Sequence, residues 1–300
     1  MTTTLAKVLH RNDHVSQRRM GLLAGWGRYP IVLAEELKRQ GFYVACLGLR
    51  DHTDDVLKSI CDDYRLIGLG QLGAAIAYFR QQRVTDATMA GKVHKVLMYQ
   101  PWIWFRHLPD WRAIRTFYPH FIATKKDRKD DTLLGAVVDA FAQDGIRFAP
   151  ATDYAPELLV KHGCLTERTP TPAQWKDIEF GWELAKEMGR LDVGQTVGVK
   201  DRTAMAVEAI EGTDACIRRT GELCKAGGFT VVKVSKPQQD MRFDVPTIGM
   251  GTLESLVAAG GKVLAVEAGK TIIVDEPAVV AYANRHKLAI VSLNATGEAA

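Results

Sequence analysis

The 300-residue chain lacks the features that mark membrane-spanning and secreted proteins. No run of 18 uncharged apolar residues occurs, so the sequence predicts no transmembrane helix. Residues 1–19 are polar and lack the apolar core of a signal peptide, and we expect a disordered tail there. These absences predict a cytoplasmic protein.

Cysteine is scarce, and its five residues are odd in number and widely spaced. They form no C-x-x-C pair and no zinc-binding Cys/His spacing. We therefore expect reduced, structural thiols and no disulfide framework. The residues are Cys46, Cys61, Cys164, Cys216 and Cys224.

Charge is also nearly balanced, at +4, which gives no reason to expect nucleic acid as a partner. Basic residues nevertheless cluster between Lys92 and Arg128 and alternate with aromatic ones, among them Trp102, Trp104 and Phe105. The stretch 99–118 has the composition of a segment that lines an acyl-chain pocket or rests on anionic lipid. Core packing beneath a long loop is the alternative.

The apolar content of 47% and the length favour two domains. Strands are predicted at 20–24, 42–49, 64–69, 84–90 and 147–148, alternating with helices at 30–40, 72–82 and 133–143. This alternation predicts a Rossmann-like parallel-sheet domain over residues 20–150.

Prolines and a glycine interrupt residues 151–174, where we expect a linker. A second α/β domain is predicted over residues 175–300. It begins with a helix at 175–188 and a hairpin at 195–210, and Thr213 is the expected N-cap of the next helix. Further strands are expected at 229–235, 263–266, 272–274 and 289–293, and further helices at 252–259 and 277–286.

A glycine turn, Gly25-x-Gly27-x-x-Pro30, follows the first predicted strand. It carries the first two glycines of a dinucleotide-binding turn, with proline at the third position. Asp51, after the second strand, has a position that suits a ribose hydroxyl. An NAD-dependent oxidoreductase and a purely structural turn therefore both remain alternatives to phosphate binding.

The segment from Lys236 to Gly249 reads K-P-Q-Q-D-M-R-F-D-V-P-T-I-G. Asp240 and Asp244 share one side whether the segment is helical or extended. Two acids that can hold a divalent cation, beside Lys236 and Arg242, suit a metal-assisted phosphoryl site. A surface ion pair between Arg242 and Asp244 is the structural alternative.

Other acids follow apolar strands or precede helices. There they can line a site that binds phosphate and metal, or they can serve only as helix caps. They are Glu208, Glu211, Asp214, Glu267, Asp130 and Asp131.

Several motifs together resemble the LpxI-type UDP-2,3-diacylglucosamine pyrophosphatases, in the same order from about residue 20 to residue 293. They are Leu22-Leu-Ala-Gly25, Ala90-Gly-Lys-Val93, Asp130-Asp131, Gly189-Arg-Leu-Asp-Val-Gly-Gln195, Glu211-Gly-Thr-Asp214, Lys236 to Gly249 and Glu267-Ala-Gly269.

The resemblance implies a Mg²⁺-dependent enzyme of lipid A biosynthesis that cleaves UDP-2,3-diacylglucosamine to UMP and 2,3-diacylglucosamine 1-phosphate. It implies a Rossmann-like N-terminal domain and a C-terminal α/β domain with the substrate between them. The family's essential aspartate falls on Asp244. A peripheral position at the inner face of the inner membrane follows from the acylated substrate, and a homodimer is compatible with the sequence.

The expected site residues come from the chemistry of the individual motifs and from the family resemblance. A non-catalytic module that binds a nucleotide sugar or lipid remains an alternative. The expected catalytic residues are Asp244, Asp240, Lys236 and Arg242. The expected metal ligands are Asp244, Glu211 and Asp214. The expected substrate-binding residues are Gly25, Gly27, Gly91, Lys92, Asp130, Asp131, Gly212, Thr213 and Thr247.

Overall fold

A computed structural model describes residues 18–93, 107–121 and 130–298, with the backbone alone given at 120–121 and 130–131. Residues 1–17 of the predicted tail lie outside these ranges, as do Trp102, Trp104 and Phe105. The described residues form two α/β units, each built on its own sheet. This architecture confirms the predicted fold class.

The first unit contains a five-stranded parallel sheet in the order β3-β2-β1-β4-β5. Its strands are β1 (Arg19–Ala24), β2 (Tyr43–Leu49), β3 (Asp63–Ile67), β4 (Asp86–Ala90) and β5 (Arg147–Phe148). Its helices are α1 (Tyr29–Arg39), α2 (Leu57–Ile60), α3 (Leu72–Gln81), α4 (Trp111–Phe121) and α5 (Asp130–Ala142). This order matches five of the six strands in the Rossmann order 3-2-1-4-5-6.

Strand β2 shows why its sequence is apolar throughout. Val44 and Cys46 pack on the face covered by α1 and α2. Ala45, Leu47 and Leu49 pack on the opposite face, which α3, α4 and α5 cover. A parallel strand buried on both faces loses the alternation of polar and apolar residues.

The second unit contains a six-stranded mixed sheet in the order β6-β13-β11-β9-β7-β8. Its strands are β6 (Gly163–Cys164), β7 (Thr196–Lys200), β8 (Thr203–Val207), β9 (Thr230–Lys233), β11 (Val263–Glu267) and β13 (Ala289–Leu293). Its helices are α6 (Pro172–Arg190), α7 (Thr213–Leu223), α8 (Met250–Ala258) and α9 (Glu276–Arg285). Helix α6 covers one face, and α7, α8 and α9 cover the other.

The segment expected to be a linker contributes to the second sheet. Its strand β6 pairs antiparallel with β13. Helix α6 begins at Pro172, three residues before the predicted start. Thr171 and Gln174 cap it reciprocally, because each side chain binds the other's backbone N–H.

The two units contact each other through the segment after β9 and through a two-stranded parallel sheet of β10 (Thr247–Ile248) and β12 (Ile272–Ile273). Phe243 packs against the core beneath α3 and α5. Ile272 and Val274 are buried in the core beneath α1. The predicted phosphoryl segment therefore lies at the junction of the two units.

The described helices include none that combines the length and the apolar character needed to cross a bilayer. All five cysteines are free in the structure.

Candidate functional site between the two units

The carboxyl ends of β8, β9 and β11 lie at one edge of the second sheet, because β8 and β9 are both antiparallel to β7 and β11 is parallel to β9. At this edge the Lys233 Nζ donates to Thr213 Oγ1 at 2.7 Å. Thr213 Oγ1 donates in turn to Glu208 Oε1 at 3.0 Å. Lys233 and Glu208 are only 4% and 8% exposed, so the chain links two buried opposite charges.

The pKa of Glu208 shows which influence dominates this chain. Burial raises the pKa, but the charge of Lys233 and hydrogen bonds from Thr196 and Thr213 outweigh it and lower the pKa below its usual value. Glu208 is therefore ionised at neutral pH, and Lys233 is its balancing charge.

Lys92 brings the first unit to the same place, on the loop that follows β4. Desolvation, followed by the charge of Lys233, lowers the pKa of Lys92, whereas Asp214 and Glu208 act in the opposite direction. The residue as a whole is exposed, although its ammonium group is partly desolvated. Two cations and two acids from both units thus share one electrostatic neighbourhood.

The loop that carries Lys92 is held by the glycine turn after β1. Trp26 and Lys92 exchange two backbone hydrogen bonds, at 2.8 and 2.9 Å. A Cβ added to Gly25 would lie 2.7 Å from the Lys92 carbonyl oxygen, and one added to Gly91 would lie 2.7 Å from Pro30. The protein's own backbone fills the space that the missing Gly25 side chain leaves, whereas Gly27, at φ 108°, has open space around its Cβ position.

Helix α7 begins at this cluster, but not with the predicted cap. Gly212, at φ 84°, is the N-cap, and Thr213 is the first helical residue. The prediction of Thr213 as N-cap was wrong because its hydroxyl binds Lys233 and Glu208 instead of the helix backbone. Glu211 faces Arg219 at 3.0 Å, and Asp214 occupies the first turn.

Lys236 holds a second group of charges at the junction of the units. Its Nζ lies 2.8 Å from Asp192 Oδ1 and 3.0 Å from Asp244 Oδ2. The Lys236 side chain is 11% exposed, whereas that of Asp244 is 31% exposed. One ammonium therefore orients two carboxylates, and Asp244 is the more accessible of them.

Arg242 pairs with Asp240 and not with Asp244, which corrects the structural alternative considered for this segment. Its Nη2 lies 2.6 Å from Asp240 Oδ2, and its Nε donates to Asp240 Oδ1 at 3.0 Å. The hydrogen bonds from Arg242 lower the pKa of Asp240. Asp240 is thus largely neutralised, while Asp244 shares the ammonium of Lys236 with Asp192.

Glu267, at the end of β11, forms a third buried charge group. Its Oε2 accepts from Lys186 Nζ at 2.6 Å and from the Ser235 backbone N–H at 2.8 Å. Glu267 is 3% exposed. It anchors the chain where β9 turns into the segment that carries Lys236.

Asp51, the residue that suggested a ribose contact, adopts φ 63° beyond β2. Its Oδ2 lies 3.4 Å from His107 Nε2. The other ring nitrogen, Nδ1, accepts a hydrogen bond from the Leu69 backbone N–H at 3.0 Å. Asp51 therefore has a protein partner at this edge of the first sheet.

The remaining predicted residues are less informative. Thr247 begins β10, and its hydroxyl donates to the Val245 carbonyl at 3.0 Å. Asp130 and Asp131 begin α5, and their side chains lie outside the described atoms.

Comparison with known proteins assigns the family. A model of the LpxI N-terminal domain matches residues 19–158, and a model of the LpxI C-terminal domain matches residues 161–291. The chain belongs to the LpxI family. Both matched segments coincide with the two units described above.

A relative from Caulobacter vibrioides (strain ATCC 19089 / CIP 103742 / CB 15), named UDP-2,3-diacylglucosamine pyrophosphatase LpxI, supports the same assignment. It is 33% identical over 276 residues, which cover 89% of this chain and 94% of the relative. The resemblance found in the sequence motifs is thereby confirmed.

The LpxI fold in this chain does not gather the three expected metal ligands into one centre. Asp244 faces Lys236 and Glu211 faces Arg219. Among the described residues, no three His, Cys, Asp or Glu side chains form a group able to hold a metal. Asp214 Oδ1, Glu208 Oε2 and Glu211 Oε1 are all buried without a hydrogen-bond partner in the described part of the chain. Glu208 is linked to Lys233 through Thr213 and Glu211 faces Arg219, so Asp214 is the acid that best fits a further cation.

Three residues of this LpxI chain were not identified from the sequence: Lys186, Asp192 and Lys233. Lys233 ends a strand of otherwise uncharged residues, T-V-V-K, and a lysine in a buried strand is a usable signal. Asp192 lies inside a motif that contributed to the family resemblance. No sequence pattern distinguished Lys186, since a lysine on a long helix is normally solvated.

Proposed function

We propose that this protein hydrolyses the pyrophosphate of UDP-2,3-diacylglucosamine to UMP and 2,3-diacylglucosamine 1-phosphate, a step of lipid A biosynthesis. The observation that carries the proposal is the match of both LpxI domains, together with a relative of that name over nearly the whole chain. The charged groups at the junction of the two units supply a chemical rationale.

Lys92 and Lys233 are the cations that we assign to the substrate phosphates. They come from different units, and both interact electrostatically with Glu208. Lys92 is exposed, and its ammonium is partly desolvated, which strengthens its interaction with an anion. Binding of a pyrophosphate there would draw on both units at once.

Asp244 is the acid that we assign to the attacking water. Lys236 fixes its orientation, and the exposure of Asp244 leaves one side of the carboxylate open to solvent. A carboxylate positioned in this way can accept a proton or a hydrogen bond from water. Lys236 would also stabilise charge on the transferring phosphoryl group. Asp240 and Arg242 neutralise each other and support the segment.

Mg²⁺ is proposed as the metal, and Asp214 is the residue that would bind it, with Glu211 as an auxiliary acid. Bound Mg²⁺ takes one or two carboxylates along with water and phosphate oxygens, and it neutralises phosphoryl charge. The buried Oδ1 of Asp214 supports this choice. The cluster of Lys92, Lys233, Glu208 and Asp214 has no net formal charge, so a divalent cation there would complement a doubly charged pyrophosphate.

A substrate with two acyl chains resides in a membrane, so we also propose transient peripheral contact with the inner face of the inner membrane. The enzyme would approach from the cytoplasm.

Release of UMP from UDP-2,3-diacylglucosamine, measured with Mg²⁺ and then with chelator, tests the proposal. We expect activity with Mg²⁺ and its loss with chelator. Asp244→Asn should bind substrate but lose at least a hundredfold in kcat, within the range typical of a general base. It should fold, because Lys236 keeps Asp192 as a partner.

Asp240→Asn is the matched control, because it removes a neighbouring acid that Arg242 already neutralises. We expect a smaller loss of kcat than for Asp244→Asn. Normal turnover by Asp244→Asn would refute the role of that residue. Absence of UMP release by the unmodified protein would refute the function, and full activity with chelator would refute the metal.

A further inference from the structure

Helix α4 exposes a stripe of apolar and aromatic side chains on the side away from the core. Ala113 is buried and Phe117 packs on the first unit's core. Trp111, Ile114 and Tyr118 are 78%, 39% and 50% exposed. Spacings of three and four residues put them on one side of a helix. With Leu108, which precedes the helix and is 61% exposed, these residues define the α4 face: Leu108, Trp111, Ile114 and Tyr118.

The charges around the α4 face are basic or already engaged. Arg115 lies within the stripe and is exposed. Asp110 caps the helix, because its Oδ1 accepts from the Ala113 backbone N–H at 2.9 Å. Arg112, on another side of the helix, binds Asp144 at 2.6 Å. Asp110, the described acid nearest in sequence to the α4 face, therefore binds the helix backbone. Arg115 gives the face itself a positive charge.

The sequence around α4 concentrates positive charge. Residues 92–129 contain nine Lys and Arg against two Asp, a net charge of +7, so the remainder of the chain carries −3 of the total +4. Basic residues near a membrane surface are attracted to anionic lipid by about 1 kcal/mol each. The charge of this region therefore complements an anionic surface.

We propose that the α4 face is the surface by which this protein rests on an anionic lipid bilayer. Trp and Tyr favour the headgroup level because their rings are apolar with one polar atom. Leu108 and Ile114 would lie toward the acyl chains, and Arg115 would contact phosphate headgroups. The proposal deepens the proposed function and rests on it in part, because a diacylated substrate must be reached in a membrane.

A second copy of the chain is the other occupant that an exposed apolar helix face could take. A twofold interface would bring the same surface of both copies together. Arg115 of one copy would then face the same positively charged surface of the other, which is unfavourable. The charge therefore favours lipid over self-association.

Cosedimentation with vesicles tests the α4 face directly. We expect binding to vesicles that contain phosphatidylglycerol and little binding to phosphatidylcholine alone. Trp111→Ala/Tyr118→Ala should weaken binding to anionic vesicles at least tenfold. Arg115→Gln should weaken it about fivefold, the equivalent of one basic residue near the surface.

The matched control is Phe180→Ala/Leu223→Ala, which removes side chains that are 37% and 58% exposed on the second unit. It should bind vesicles as the unmodified protein does. Unchanged vesicle binding by both Trp111→Ala/Tyr118→Ala and Arg115→Gln would overturn the proposal. Sedimentation velocity gives a second readout, since loss of a dimer in these variants with vesicle binding unchanged would assign the face to a second copy instead.

Activity measurements separate this proposal from the proposed function. Trp111→Ala/Tyr118→Ala should keep full UMP release from substrate in detergent micelles and lose it selectively on vesicles. Equal loss in both would argue against a membrane role. If the unmodified protein binds vesicles but releases no UMP from substrate in micelles, the enzymatic function is refuted. The assignment of the α4 face to lipid would still hold.

Discussion

Replacement of Lys233 by methionine tests whether the buried charge chain holds the second unit together. Methionine keeps the length and packing of the side chain but removes the ammonium that balances Glu208. Lys233 and Glu208 are linked through the Thr213 hydroxyl. Removing one of two buried, compensating charges costs about 3–5 kcal/mol, because the remaining charge stays desolvated. Since a domain has about 5–15 kcal/mol of stability in total, the loss should be large.

An exposed ion pair supplies the comparison. Lys58 lies 2.7 Å from Asp55, a distance similar to that between Lys233 and Thr213, but the two side chains are 47% and 74% exposed. Lys58→Met should cost less than about 1 kcal/mol, because solvent screens the pair. Urea unfolding followed by circular dichroism measures both free energies.

The pH dependence gives the sharper result. With Lys233 present, the pKa of Glu208 is lowered, so its contribution to stability is present above the ordinary value of 4.5 and is lost as pH falls through the folded-state pKa. Without Lys233, burial is the largest remaining influence and raises that pKa. The variant should therefore lose stability as pH rises above the ordinary value, and its deficit should widen between about pH 4 and pH 7.

Glu208→Gln in the Lys233→Met background should remove this pH dependence and recover part of the stability, since no buried charge then remains. The reasoning would be refuted by a Lys233→Met deficit no larger than that of Lys58→Met. It would also be refuted by a deficit that stays constant across this pH range.

Two further substitutions test the glycine turn and the Lys236 group. Gly25→Ala should lower the free energy of unfolding by about 1–3 kcal/mol, because its Cβ would lie 2.7 Å from the Lys92 carbonyl oxygen. Gly135→Ala, in α5 with open space around its Cβ, should raise stability by up to about 1 kcal/mol; thermal unfolding that ranks the two in the other order would contradict the crowding argument. Asp192→Asn should lower kcat about 10- to 100-fold with KM little changed, because Lys236 loses one of the two carboxylates that fix it. A change confined to KM would show that Asp192 acts in binding.

Local patterns predicted much of the fold. The alternation of short apolar runs and helical segments identified the parallel sheet of the first unit, and the hairpin predicted at 195–210 corresponds to β7 and β8. These elements depend on residues close in sequence. The predicted start of α6 was too far along the chain. The capping box of Thr171 and Gln174 lies among prolines, and that stretch was assigned to a linker.

The site was predicted less completely than the fold. Asp244, Lys236 and Lys92 stay predictions as site residues, and the sequence did not predict Asp192 or Lys233, whose charges act on Lys236 and Lys92. Thr213 is the clearest case, because a threonine beside a glycine at a helix start has the pattern of an N-cap. A buried lysine competes for its hydroxyl, and only the packed structure contains that competitor.

The sequence by itself determined the two α/β units, the family and the chemical character of the segment from Lys236 to Gly249. These follow from hydrophobic periodicity and from motifs, which are properties of neighbouring residues. The packing of the chain was needed to show that the charge of Lys233 acts on Lys92, that Lys236 holds Asp192 beside Asp244, and that Arg242 neutralises Asp240. The physical reason is that charge pairing depends on distance and desolvation. Both are set by how the two units pack.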